Sequence, residues 1–567
     1  MKNRYHPIII SSFLLFSVII SGCNRFTKVD DKKGPSDWFI SQRIYPYGKV
    51  DYHAYKNSIT RRAEMMAAKT ERDDLLWLQE GPINIGGRVQ DIEMDPADTS
   101  IIYVGAASGG IFKSHDGGLN WVSIFDEQPS LSIGDIAIAP SDPDIIFAGT
   151  GEPNCGGGSV TYDGMGVYKS TDAGLTWNYS GLDSTRNTGR IMIDPNNPQQ
   201  VFIATMGDLF ANTLQRGVYR SDDGGDTWER ILFVSDSTGA IDLVINPLHP
   251  DTLYACMWER VRRPTYEHYG GLTCGIYRSY DGGDTWTQLT DGLPAGSDVG
   301  RIGIDISQSN PDILYAIYAD KTGYFDGIYK TLDNGDSWIQ TNDASLGSIF
   351  ASYGWWFGRI KVDPTDENTA YALGFDEAKT SNGGSSWNIS SGGMHVDHHT
   401  MFIHPLNPNL IYDGNDGGIY KSTDASSSWT HIKQLPITQF YTSEINFNSP
   451  EELYGGTQDN NVIRTLSGGI DDWESIIGGD GFYVLIDPEN PNYVYAESQY
   501  GALNRSVNGG NTFFGATNGI SQGDRKNWNT PVVFNPLNPQ SLYYGSNKMY
   551  KSENRAANWD VVSGDLT

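Results

Sequence analysis

Little in this sequence points to a familiar chemistry. The chain carries four cysteines in 567 residues, and no CxxC or zinc-type spacing links them, which excludes a zinc ribbon or a thioredoxin-type centre. It has no Ser nucleophile elbow, no phosphate-cradling P-loop and no HExxH helix, so three common catalytic frames are absent. Positive charge is scarce: 40 Lys and Arg face 69 Asp and Glu, a formal charge of −29. Such a chain repels a phosphate backbone, and no nucleic-acid partner is expected. Its one long apolar run, Pro7 to Ile20, is too short for a good membrane span.

What is abundant is turn and aromatic chemistry. Gly 65, Tyr 32 and Trp 15, with only 19% charged residues, suit a β-rich, turn-dense repeat protein. Met-Lys-Asn-Arg before the apolar run, and Ser21-Gly22-Cys23 after it, form an export signal over residues 1–22. The Ser-Gly-Cys ending resembles a bacterial lipobox. That resemblance implies lipidation of Cys23 and a chain tethered at the cell outer membrane, on its periplasmic or cell-surface side. Residues 23–50 read as a polar tether and 51–76 as a helical segment rich in Ala, Met, Glu, Arg and Lys.

From residue 77 the chain repeats. The phrase Ser221-Asp-Asp-Gly-Gly-Asp-Thr-Trp228 is a tight turn, [Ser/Thr]-x-[Asp/Asn]-x-Gly-x-[Ser/Thr]-Trp, ending in an indole to bury. It recurs at Ser114–Trp121, Ser170–Trp177, Ser279–Trp286, Thr331–Trp338 and Thr380–Trp387. Worn copies follow at Ser422–Trp429, Thr465–Trp473, Ser506–Phe513 and Ser552–Trp559. In phase with it, each unit opens with an apolar strand ending in an Asp-Pro or Asn-Pro turn, as in Ile191-Met-Ile-Asp-Pro195. Four strands per unit of about 50 residues is the pattern of propeller blades. The expected fold is all-β, a single ten-bladed β-propeller over residues 77–567.

The repeats, with the phrases Gly86-Gly-Arg88, Gly149-Thr-Gly-Glu-Pro-Asn154, His395-Val-Asp-His-His399 and Gly478-Gly-Asp-Gly-Phe482, resemble bacterial relatives of the sortilin (Vps10) propeller with Asp-box (BNR) repeats. Members of that set often carry the label "glycosyl hydrolase", inherited from sialidases and xyloglucanases. The sialidase Arg-Ile-Pro motif is absent, and the turn matched to the xyloglucanase first-blade carboxylate reads Ala106-Ala107-Ser108-Gly109. Neither activity transfers residue by residue, because function lives in the site and not the fold.

Strand order separates two faces. The Asp-Pro turns and Asp boxes lie on one; the longer connections between strands B and C, and between D and the next A, lie on the other, where binding is expected. Strand A is innermost, and its entry position holds Asp91, Asp135, Arg190, Asp242, Arg301, Arg359, Thr400, Thr442, Tyr483 and Pro531. These residues should ring the central channel, either as a polar funnel for an anionic or polyhydroxylated ligand or as a rim balanced by its own Asp–Arg pairs. The candidate ligand-binding residues are Arg88, Arg190, Arg301, Arg359, Trp258, Trp355, Trp356, Tyr483, His398 and His399. Candidate carboxylates for glycoside chemistry are Asp91, Asp135, Glu152 and Asp480, since that chemistry needs two across a cleft. His395 and Asp397 with His399 form a candidate structural metal site, the one cofactor entertained. Cys256 and Cys274, on adjacent strands of one hairpin, are expected as a disulfide, with two buried thiols as the alternative. The reading favoured is a monomeric, membrane-anchored propeller recognising a glycan or an extracellular peptide or protein; the alternative is a carbohydrate-active enzyme, a hydrolase or lyase, with carboxylates at the channel mouth.

Overall fold

The computed structural model describes residues 45–46, 51–67, 78–154, 162–263 and 266–566. A helix spans Tyr52–Ala67. The rest of the expected 51–76 helix, the signal segment, Cys23, most of the tether and Cys155 lie outside the described residues. No helix among the described residues is long and apolar enough to cross a membrane.

Beyond the helix the chain is β structure. Ten four-stranded sheets follow, at residues 89–123, 133–179, 188–232, 238–289, 299–340, 359–389, 398–432, 440–477, 481–515 and 532–561, in which strands A to D lie side by side in chain order. A two-stranded ribbon, Val261–Arg263 with Tyr266–His268, rises from the B–C connection of the fourth sheet. The strand order places the Asp boxes and Asp-Pro turns on one face, as the sequence implies.

The box turn forms because its side chains replace the backbone bonds a turn leaves unmade. Ser221 Oγ donates to Asp223 Oδ1 at 2.7 Å and accepts the Gly225 N–H at 2.8 Å. Asp223 in turn accepts the Thr227 N–H at 2.9 Å and its hydroxyl at 2.6 Å. Gly224 and Gly225 take φ of 71° and 90°, open to glycine at no steric cost. Worn boxes put Ala425, Ser426, Arg555 and Ala556 in the same region, so the turn outlives its glycines. The indole that closes the box then pins its sheet to the one before: Trp228 Nε1 donates to Ser180 O at 2.6 Å.

A second bond runs forward. A basic residue on strand C donates to a box carbonyl of the following sheet: Lys113 to Ala173, Lys169 to Gly224, Arg220 to Gly282, Arg278 to Asn334 and Lys379 to Ala425. In the fifth sheet Lys330 Nζ stands against the Gly383 turn of the sixth. In the seventh sheet Lys421 Nζ stands against Gly117, in the first sheet. The apolar core agrees. Val89, Ile92 and Val104 of the first sheet pack in one cluster with Tyr412 and Ile419 of the seventh, and Thr400 Oγ1 donates to Asp91 Oδ1 at 3.2 Å.

Seven sheets therefore close a ring around a central channel. The eighth, ninth and tenth form a separate row, linked by Arg464 to Gly509 and Arg505 to Arg555. The single ring of ten is corrected: repeats of one kind build two bodies, because ring closure is set by sheet-to-sheet wedge angle and not by how many repeats the chain contains. Residues 80–87 lie along the seam. Ile83 N–H donates to Ile470 O, Gln434 N–H to Ile83 O, Thr438 Oγ1 to Ile85 O and Trp473 Nε1 to Glu80 O.

The expected disulfide is also corrected. Cys256 and Cys274 are free, buried thiols. Cys256 lies opposite Ile276 in the ladder, which leaves Cys274 a diagonal neighbour, at a spacing of about 7 Å that is too long for an unstrained bridge. Cys274 Sγ instead accepts the Glu259 N–H at 3.2 Å. Burial pushes both thiols up, that of Cys274 to about 12.

Candidate functional site

The channel of the seven-sheet ring collects the expected strand-A residues, and it uses most of them internally. Asp91, Asp135 and Asp242 each accept a main-chain N–H from a following strand A, those of Ile136, Ile191 and Ile304, at 2.8, 2.7 and 3.2 Å. Arg190 bridges Asp135 at 3.3 Å and Asp242 at 3.0 Å. Buried charges survive when paired in this way. Asp91 and Asp135 are thereby structural groups and not a catalytic pair. Thr442, Tyr483 and Pro531 belong to the row and line no part of this channel.

The aromatic candidates are core. Trp258 is fully buried with Nε1 donating to Tyr269 O at 2.9 Å. Trp355 and Trp356 are 6% and 4% exposed. Trp355 stacks on Tyr269 at 5.7 Å, and Trp356 lies under the Arg88 guanidinium at 4.7 Å and against the His399 ring at 5.6 Å. Tyr483 packs with the core shared by the ninth and tenth sheets. None of these presents a face for a ligand, because rings of this size are what wedge one sheet against the next.

Buried acidic side chains gather instead at the seam between ring and row. Arg88 is clamped by Glu152 through Nε–Oε1 at 2.9 Å and Nη2–Oε2 at 3.1 Å, with Gln90 donating to the same carboxylate at 2.9 Å. Burial opposes the Arg88 charge, but Glu152, Asp416 and Asp459 outweigh it and raise the pKa. Burial pushes Glu152 up to about 7 in spite of Arg88.

Beside this clamp, oxygens of Asp397, Asp416 and Asp459 lie within 4.8 Å of one another. Asp397 and Asp416 come from the seventh sheet and its approach, Asp459 from the eighth; Asp480, opening the ninth, accepts the Asp459 N–H at 2.9 Å and Gln499 Nε2 at 2.9 Å. The backbone is held in the left-handed region at Asp397 (71°), Asp459 (57°) and Asn461 (77°), a strain characteristic of functional loops. Asn460 Nδ2 donates to Asp416 O at 2.8 Å and His395 Nε2 meets Asp459 O at 3.0 Å, tying row to ring.

The four carboxyls differ in protonation. Asp416 is 1% exposed, yet His399 (Nε2–Oδ1 2.7 Å) and Arg88 overcome burial and hold it at about 2. Burial raises Asp480 to about 6. Burial together with Asp480, Asp416 and Asp397 raises Asp459 well above the carboxylate range. Around the acids stand exposed rings: Tyr353, from the loop entering the sixth sheet, is 48% exposed and Tyr500, from the ninth sheet, 37%. Tyr353 feels the charges of Asp397, Asp459 and Asp480, and Tyr500 those of Tyr353 and Asp480, so the two tyrosines border the acids from opposite bodies.

The expected metal site is not assembled. Both His395 ring nitrogens face carbonyls, of Val396 at 2.8 Å and Asp459 at 3.0 Å. His399 serves Asp416, and His398 Nδ1 is bonded to Asp413 Oδ1 at 2.8 Å. His398 and His399, expected as ligand contacts, are buried positioning groups. Of the catalytic candidates, Asp480 alone reaches the acid cluster. Its partners Asp416 and Asp459 were legible in the sequence as loop-face carboxylates, with nothing to single them out from the other acids there; Tyr353 and Tyr500 left no signal among so many aromatics.

Comparison with known proteins bears on the fold and its relatives. A sequence profile for sortilin (neurotensin receptor 3, Sortilin-Vps10) matches residues 165–295. The chain is 24% identical over 336 residues to a xyloglucanase of Paenibacillus sp., covering 53% of this chain and 31% of that protein. It is 24% identical over 352 residues to a xyloglucanase of Acetivibrio thermocellus, covering 49% and 38%. The match thus spans about a third of these relatives' own length. Among solved structures, an ancestral GH74 enzyme aligns with a TM-score of 0.59 at 17% identity, covering 87% of this chain and 72% of that one. The Niastella koreensis GH74 enzyme aligns with a TM-score of 0.51 at 18% identity, covering 86% and 80%. At these identities the likeness is one of fold: an all-β assembly of four-stranded propeller sheets, with sortilin-like repeats and relatives that are xyloglucanases.

Proposed function

We propose that this chain cleaves glycosidic bonds of a polysaccharide laid across the seam, with the acid cluster as its active centre. One observation carries the reading: carboxyls from both bodies converge, and their surroundings push their protonation apart, which is how acid and base roles are divided in glycosidases. The Asp459–Asp480 pair holds a proton for the leaving oxygen; the proton belongs to the pair, since the two groups are coupled. Asp416, buried and kept ionised by His399 and Arg88, stands behind the pair, and its charge helps to hold the proton on Asp459 and Asp480. Tyr353 and Tyr500 offer faces for sugar stacking on either side. The xyloglucanase relatives support a neutral glucan as substrate, and an acid-lined seam disfavours an anionic one.

The test is release of reducing ends from neutral β-glucans, xyloglucan included, by the wild type, Asp416→Asn and Asp480→Asn. Turnover by the wild type that both substitutions abolish, with binding retained, supports the reading. Binding without turnover, lost in Tyr353→Ala, would instead favour the non-catalytic recognition of a glycan, which the exposed tyrosines alone would serve. The lipobox-like Ser-Gly-Cys supports a further proposal, attachment at the outer membrane through Cys23, which membrane fractionation of a Cys23→Ala chain would test.

A further inference from the structure

We propose that the channel of the seven-sheet ring binds a small inorganic anion, chloride in the first instance, between Arg301 and Arg359. At the channel entry Asp91, Asp135 and Asp242 stand with Arg190, Arg301 and Arg359, and deeper in Glu93 and Asp305 stand with Lys361, but these charges are not paired evenly. Arg190 takes both Asp135 and Asp242 within hydrogen-bonding distance. Asp91 is satisfied by the Ile136 N–H and the Thr400 hydroxyl.

Two guanidinium groups are left over on adjacent sheets. Arg301 donates through Nη1 to Asn154 Oδ1 and to the carbonyls of Trp355 at 3.4 Å and Trp356 at 3.2 Å, and touches no carboxylate. Arg359 donates through Nη2 to Gly189 O at 3.3 Å, and its nearest carboxylate oxygen, on Asp135, stands 3.9 Å away. Both residues are 3% exposed. Arg301 Nε and Arg359 Nη1 are buried donors with no acceptor. The two residues are also close: Arg301 Nε and Cδ lie 3.7 Å from the position of a Cβ on Gly358, the residue before Arg359.

Two buried like charges with idle N–H groups are among the costliest arrangements in a protein interior, and an anion seated between them relieves both the repulsion and the missing bonds. Burial and the neighbouring arginines, Arg359 and Arg260, already press Arg301 down to about 9, although Asp242 and Glu152 pull the other way. A carbonyl or water dipole could accept one of the idle donors, but only a negative ion also offsets the repulsion between the two guanidinium groups. Guanidinium is suited to this, being weakly hydrated and unable to shed its proton in the working range.

The probe is bromide, which replaces chloride and scatters anomalously. Crystals of the chain grown or soaked in sodium bromide should show one anomalous peak within hydrogen-bonding distance of Arg301 Nε and Arg359 Nη1, absent from Arg301→Met. In solution, at equal ionic strength, the wild type should melt at a lower temperature in sodium gluconate than in sodium chloride, and that difference should vanish in Arg301→Met. If Arg301→Met fails to fold, Arg359→Met serves for both measurements. Peaks confined to the protein surface, or a melting temperature indifferent to the anion, would overturn the proposal. Glycan turnover enters neither readout, so the inference stands or falls apart from the proposed activity.

Discussion

The ring and the row are built from the same repeat and behave differently at their inner strands. In the ring, strand A of each sheet faces others across a channel, and six of its seven entry positions are charged, three Asp and three Arg, the seventh being Thr400. In the row, the same positions hold Thr442, Tyr483 and Pro531, and Thr442 spends its hydroxyl on Phe482 O at 2.6 Å. Charge at an inner strand is tolerable where a partner stands opposite. The comparison teaches that the box turns set the sheet, the inner residues suit each sheet to its surroundings, and the buried acids gather where the two bodies meet.

Four substitutions break or sharpen that contrast, from largest effect to smallest. Asp416→Asn in the ring and Asp480→Asn in the row should each lower kcat about a thousandfold with KM little changed, as removal of a general acid or its partner does; a seam that needs only one body would lose activity in one variant alone. Arg190→Met should destabilise the ring by about 3 kcal/mol, since Asp135 and Asp242 lose their shared partner. Hydrogen exchange followed sheet by sheet should show that loss in the ring and leave the row's protection unchanged. Tyr353→Ala should raise KM about fivefold, the worth of one aromatic face at about 1 kcal/mol, with kcat nearly intact.

The smallest effect concerns acid. Asp223 in its box sits at about 2, held down by the Thr227 and Ser221 bonds, and Asp116 and Asp281 likewise. A depressed carboxyl stabilises the fold above its unfolded pKa and ceases to do so as pH falls through the folded one, so these turns should loosen between about pH 4 and 2. The boxes of the ninth and tenth sheets carry Asn508 and Asn554 in that position, where nothing titrates. Amide exchange at Thr227 should quicken in that window while that at Thr512 does not. Activity should follow the opposite limb, declining as pH rises above about 6 and the Asp459–Asp480 pair loses its proton.

Much of this was legible in the sequence because it is local. The box phrase encodes its own hydrogen bonds within seven residues, and the strand order and the two faces follow from it. The same locality hid the ring closure. Thr400 and Asp91 meet across 309 residues, and no phrase of a repeat states which neighbour it will find. Of the ten strand-A residues expected at one channel, seven lie in the ring and three in the row, and their pairing was not legible, because Arg190 lies within reach of two acids and Arg301 of none. Trp355 and Trp356 misled by composition: next to Tyr353 they look like a binding surface, and only burial separates the ring that serves a ligand from those that serve the core.

The segment at residues 80–87 gives the assembly a timetable. Glu80 emerges early in synthesis, yet its carbonyl waits for the indole of Trp473, 393 residues later. At ordinary rates of translation that is a delay of about 20 to 80 s. For most of it the first sheet also lacks the seventh, whose last strand ends at Ile432. The seam, and with it the acid cluster, therefore forms late: a nascent chain can hold several finished sheets before Asp397, Asp416, Asp459 and Asp480 come together, so the cluster exists only once late residues return to early ones.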